Sequence, residues 1–102
     1  MVRISKLIAE KRLGDVEDDK QFWCHDGHYL KNLQQLETAL EQMTEDTFRY
    51  HVSETKSDFS NWVRDVIGDD KLSRDLRKSV TRDRAARSVA ARIDLLIKRR
   101  EN

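Results

Sequence analysis

Cys24, His25 and His28 place a thiol and two imidazoles close together, and His51 adds a third imidazole farther along the chain. Sulfur and imidazole nitrogen are zinc donors, and a structural zinc takes four protein ligands. The flanking aromatics and the Asp26-Gly27 pair predict a β-hairpin over Phe22 to Leu30, whose pleat sets Cys24 and His25 on opposite faces. A metal site at Cys24, His25 and His28 therefore runs against the local geometry and stands only as an alternative. Cys24 and His51 also supply a nucleophile and a base, but no third group that orients them is evident. The carboxylates Asp58 with Asp65, and Asp69 with Asp70, are the remaining acid–base candidates. Asp58 and Asp69 stand where helix N-caps are needed, which accounts for them without catalysis. There is no glycine-rich phosphate loop and no nucleophile elbow. These residues point to a non-enzymatic protein with no cofactor and no small-molecule substrate.

The elements that must carry these side chains are mainly helices. The chain has 102 residues, no proline and three glycines, so a many-turned sheet protein is not expected. Charged residues make up 38% of it, yet the apolar ones recur at helical spacing, which separates it from a disordered chain. Phe59, Trp62, Val63, Val66 and Ile67 follow one helix face between Asp58, a candidate cap, and Gly68, a candidate stop. Asn32 with Gln35 predicts the start of a helix striped by Leu33, Leu36, Leu40 and Met43. Thr44, followed by Glu45 and Asp46, predicts another that sets Phe48, His51 and Val52 on one face. Asp69 or Asp70 restarts the chain through Leu72 and Leu76. Thr81 precedes a last helix, over about 82–100, with Ala86, Val89, Ala90, Ile93, Leu96 and Ile97 as its seam. The expected fold is mainly α, a small bundle of about four to five helices with one short N-terminal β-hairpin. Residues 1–20, with Ile4, Leu7 and Ile8 as an apolar stripe and then an acidic run, read as a small helix and a flexible segment ahead of a single domain over 21–102.

Charge is distributed unevenly. The net charge is +1, but the first twenty residues balance, the middle is acidic and residues 77–102 are strongly basic. Arg77, Lys78, Arg82, Arg84, Arg87, Arg92, Lys98, Arg99 and Arg100 supply a candidate face for phosphates, so nucleic-acid binding through the C-terminal helix is an alternative function. No aromatic lies among them to stack on bases, and Asp83, Asp94 and Glu101 interrupt the face. The same asymmetry permits head-to-tail self-association. Among the large aromatics, Trp62 reads as core by its spacing. Trp23, Tyr29 and Tyr50 are less determined, with one of them expected to line a surface groove. A single cysteine fits a reducing cytoplasm, and no apolar run approaches the ~20 residues of a membrane span or forms a signal peptide.

Asn32-Leu33, then Thr47-Phe48-Arg49-Tyr50-His51-Val52, then Asp58-Phe59 with Asn61-Trp62-Val63-Arg64-Asp65-Val66 and Gly68-Asp69, together resemble a family of small archaeal and bacterial proteins of unknown function. The resemblance covers about Phe22 to Leu76, with a weaker echo at Thr81-Arg82. It implies a compact, mainly helical module and no established activity. It also singles out His51, Asp58 and Trp62, either as a structural knot with His51 hydrogen-bonded to Asp58 or a neighbouring backbone group, or as the lining of a binding site. The expected function is that of a cytoplasmic protein-interaction or regulatory module, with a protein partner or a second copy engaged through the C-terminal helix or the aromatics.

Overall fold

The computed structural model describes residues 4–101. It is a helical bundle with one small hairpin, built from α1 (Lys6–Leu13), β1 (Phe22–Trp23), β2 (Tyr29–Leu30), α2 (Leu33–Gln42), α3 (Glu45–His51), α4 (Asp58–Trp62), α5 (Asp70–Lys78) and α6 (Arg82–Glu101). A 3-10 turn over Asp18–Lys20 precedes the hairpin, and a π-helical turn over Val63–Ile67 extends α4.

Local chemistry sets most of the boundaries. The Asn32, Thr44 and Asp69 side chains accept the amides of Gln35, Thr47 and Leu72, so each closes a first helical turn. Thr81 does the same for Arg84. One cap differs from expectation: Ser57, not Asp58, accepts the Ser60 amide and starts α4. Asp58 occupies the first helical position, which frees its carboxylate for a side-chain partner. The helix through Phe59 and Ile67 is also not uniform. In its wider π turn the Gly68 amide bonds the Val63 carbonyl at 2.8 Å, and Ile67 is buried where Val66 is only half-buried. Gly68, at φ 83°, takes the left-handed conformation that ends it.

Helix α6 is the spine, packed against α1, α2 and α5, while α4 lies on α5. Its seam of Ala85, Val89, Ile93 and Leu96 is buried, so the face offered in sequence to a partner is used inside the molecule. Leu33, Leu36, Leu40, Leu72 and Leu76 complete the centre of the bundle. Phe22, Phe48, Phe59, Trp62 and His51 continue the same core as an aromatic end beneath the hairpin.

The first twenty residues, set apart in the sequence as a separate segment, join this body from Ile4 onward: Ala9 is buried, and Ile4, Leu13 and Val16 pack on the core. Helix α1 is turned away from the stripe anticipated for it, with Leu7 77% exposed. The small Ala9 side chain faces inward instead, and Arg12 from the same helix lies 3.7 Å from Asp69. Two clasps hold the remaining elements. Ser60 and Ser73, both buried, exchange hydroxyl-to-carbonyl hydrogen bonds of 2.7 and 3.0 Å between α4 and α5. The Asp69 carboxylate, wholly buried, accepts Arg92 Nε at 2.7 Å and the Leu72 amide at 3.0 Å, so it joins α5 to α6. Among the described residues no helix is long and apolar enough to cross a membrane.

Candidate functional site

His51 closes α3 with its ring 2% exposed, packed against the rings of Phe22 and Phe59 at centroid distances of 5.0 and 5.2 Å. Both of its nitrogens are engaged. Nε2 lies 3.0 Å from the His25 backbone nitrogen and Nδ1 lies 3.0 Å from Asp58 Oδ2. A backbone N–H can only donate, so Nε2 is the acceptor and the ring proton sits on Nδ1, donated to Asp58. Lys56 Nζ also reaches Asp58 Oδ2, at 3.3 Å. A carboxylate orienting imidazole Nδ1 is the arrangement found in hydrolytic triads. Here the Nε2 lone pair, which would take a nucleophile's proton, is filled by the chain's own amide. The pair works as a brace for His25.

Trp62, the third residue of that group, is buried and donates its indole N–H to the Lys20 carbonyl at 2.8 Å. It ties the segment before β1 to α4. Removing the brace should cost stability: His51→Ala is expected to lose about 2 kcal/mol or more, through an abandoned amide and a cavity. Asp58→Ala should lose about 1 kcal/mol, the smaller value because its carboxylate is partly solvated. Chemical denaturation of both variants checks this, and wild-type stability in both would remove the structural role.

Above the brace lies a surface of packed rings. His25 stacks on Tyr50 with centroids 3.9 Å apart and planes 11° off parallel. Trp23 stands nearly perpendicular to both, 6.0 Å from His25 and 6.4 Å from Tyr50. Lys56 Nζ lies 5.4 Å from the centre of the Tyr50 ring. Trp23 is 47% exposed and Tyr50 48%, so each packs part of its surface and offers the rest to solvent. Trp23 points outward because β1 alternates it with buried Phe22 and Cys24. Tyr50 is one residue off the Phe48–His51 face of α3. Those two offsets were the available sequence signal for this plate, and the stripe pattern alone passed over them.

The hairpin turn is longer than the two-residue turn expected from Asp26-Gly27. The Cys24 amide bonds the His28 carbonyl, the Gly27 amide bonds the Cys24 carbonyl, and Gly27 has φ 98°. The three intervening residues thus form a loop ending in a left-handed glycine, which lifts His25 onto Tyr50. Cys24, just past β1, is fully buried, and His25, the first residue of the loop, is exposed. Burial pushes the Cys24 thiol above its ordinary range, which disfavours the thiolate needed by a nucleophile or a metal ligand. Desolvation pushes the Asp26 carboxyl up, but hydrogen bonds from the backbone and imidazole of His28 outweigh it and leave the carboxyl below its usual range. Among the described residues no group of three or more His, Cys, Asp or Glu side chains is placed to hold a metal ion. Tyr29 lines an open groove of about 380 Å³ between the hairpin and α2, with Leu30, Gln35, Thr38 and Met43.

The basic candidates divide. Arg82 Nη1 donates to the Met43 carbonyl at 2.6 Å, satisfying the C-terminal end of α2, and Arg92 is held by Asp69. Both are therefore engaged inside the molecule and leave the proposed contact face. Arg84, Arg87, Lys98 and Arg99 are exposed, Arg100 half-buried. From Arg87 to Lys98 the helix rises about 16 Å, so these residues form two groups rather than one stripe. Comparison with known proteins brought no match to a family model, a curated protein or a solved structure.

Proposed function

We propose that this chain is a non-enzymatic protein-interaction module of the cytoplasm whose contact surface is the plate of Trp23, His25 and Tyr50. The observation that carries this reading is a set of three partly exposed rings locked against one another and braced from beneath by His51. Exposed Trp and Tyr dominate binding energy where they are fully desolvated by a partner, and rings already fixed in place lose little entropy on binding. Membership of the small archaeal and bacterial family is part of this proposal.

The test is Trp23→Ala/Tyr50→Ala, compared with wild type by cross-linking in cells and by sedimentation velocity, with circular dichroism as the folding control. Each truncation is expected to cost about 2 kcal/mol or more of association, roughly thirtyfold in affinity. Loss of cross-linked species from a folded variant supports the plate, and sedimentation tells a second copy from a foreign partner. An unchanged cross-linking pattern and sedimentation profile would defeat the proposal.

A second reading keeps nucleic-acid binding through α6. It is supported by Arg84, Arg87, Lys98, Arg99 and Arg100 having no ion-pair partner among the described residues. A gel shift tests it, with binding expected at low salt and lost steeply as salt rises. No shift at low salt would end it.

A further inference from the structure

We propose that the crevice between the end of α5 and the start of α6 binds a single phosphate group, of the kind a phosphomonoester carries. The crevice holds about 300 Å³ and is lined by Asp75, Lys78, Ser79, Arg84, Arg87 and Ser88. Arg84 and Arg87, three residues apart, share a side of α6, and Lys78 closes the opposite wall from α5. What distinguishes this place is that three cations without an ion-pair partner among the described residues line one crevice, while several charges nearby are already paired. Arg82 caps α2, Arg92 is held by Asp69, Arg64 by Asp65, and Lys71 by Asp75. Lys78, Arg84 and Arg87 have no anionic partner among the described residues. Asp75, the one carboxylate in the lining, is already neutralised by Lys71, so three cations converge with little to balance them.

The hydroxyls add a donor. Ser79 Oγ spends its proton on the Asp75 carbonyl at 2.7 Å. Ser88 Oγ is held only by a long 3.4 Å contact to Ser79, so its proton is free to turn toward an anion. Two guanidinium forks, an ammonium and a hydroxyl match the oxygens of one phosphate. A compact group is favoured over a polynucleotide because the basic residues at the far end of α6 are separated from this crevice and Asp94 lies exposed between the two groups.

The test is a titration of isotope-labelled protein with inorganic phosphate at constant ionic strength, following the amides of Ser79 and Ser88 by magnetic resonance, with chloride as the reference salt. A saturable shift specific to phosphate is expected. It should weaken at least about tenfold in Arg84→Ala/Arg87→Ala and stay unchanged in Lys98→Ala/Arg99→Ala. All four are exposed, so both variants should fold, and circular dichroism verifies it. A shift that chloride reproduces, or that the Arg84/Arg87 variant retains in full, overturns the site. A short DNA duplex is titrated in parallel. Duplex binding that draws equally on Lys98 and Arg99 overturns the single-phosphate site in favour of a polyanion face, and a duplex that binds no tighter than phosphate supports it. None of these substitutions touches Trp23, His25 or Tyr50, so a failure here leaves the aromatic plate standing.

Discussion

Asp69→Ala is expected to lower stability by about 3–5 kcal/mol, because it leaves the Arg92 guanidinium in a buried position without its counter-charge. Both Asp69 oxygens are in use, one on Arg92 and one on the Leu72 amide, so the substitution also uncaps α5. The lost cap is included in a total that is a large share of the roughly 5–15 kcal/mol available to a domain. For a chain of this size the melting temperature should fall by roughly 15–30 °C, read from a circular dichroism melt. Arg12, 3.7 Å from the same carboxylate, is a second cation and loses its counter-charge as well, but it is more solvated than Arg92 and adds less to the cost. The mechanism has its own signature. Asp69→Leu combined with Arg92→Met removes the close pair and leaves only the more solvated Arg12, and should recover much of the stability that Asp69→Ala loses. If the double variant is no more stable than Asp69→Ala, the cap and the packing, and not the stranded charge, set the cost. A melting temperature within a few degrees of wild type for Asp69→Ala would refute the buried pair as a clasp.

Phe59→Ala should be comparably damaging, at about 3–5 kcal/mol, for a different reason. Phe59 is 1% exposed and lies among the rings of Phe22, Phe48 and His51 at 5.0, 6.1 and 5.2 Å. Truncation opens a cavity in a region where rigid rings, fixed by α3, α4 and the hairpin, cannot all move to close it. Urea denaturation should show the midpoint falling with little change in slope. Phe59→Leu, which refills most of the volume, is expected to cost less than half as much. Equal losses in the two variants would argue against a cavity. Because Phe59 is also the floor beneath His51, Phe59→Ala should loosen the His25–Tyr50 stack, whereas Asp69→Ala, acting between α5 and α6, should disturb that stack only through global unfolding.

Much of the helical organisation was legible in the chain because its determinants are local. Asn32, Thr44 and Thr81 cap helices through amides three residues onward, and Gly68 ends one through its own φ. Asp58 is an exception within that same local chemistry, since Ser57 caps α4. Ser57 and Asp58 are both competent caps, and the choice between them follows from His51, which draws the Asp58 carboxylate away from the helix end. Helix α1 shows a second limit. Ile4, Leu7 and Ile8 form an apolar stripe by spacing, yet the rotation of the helix is set by its fit to α6 and by Arg12 near Asp69. Capping-box chemistry was also only half legible: Gln35 reaches back, but to the Lys31 amide, one residue before the cap.

The chain by itself determined the helical class, the hairpin, most helix ends and the apolar residues of the core, since these follow from periods of two and 3.6 and from bonds spanning a few residues. Only the tertiary structure decided which polar groups meet. His51 takes the amide of His25 from twenty-six positions away, Arg92 takes Asp69 from twenty-three, and Ser60 takes Ser73 from thirteen. Periodicity assigns a residue to a face and leaves its partner open, because the partner depends on how helices are rotated and stacked. The same stacking spends Arg82 and Arg92 inside the molecule, gathers Lys78, Arg84 and Arg87 around one crevice, and raises Trp23, His25 and Tyr50 into one surface.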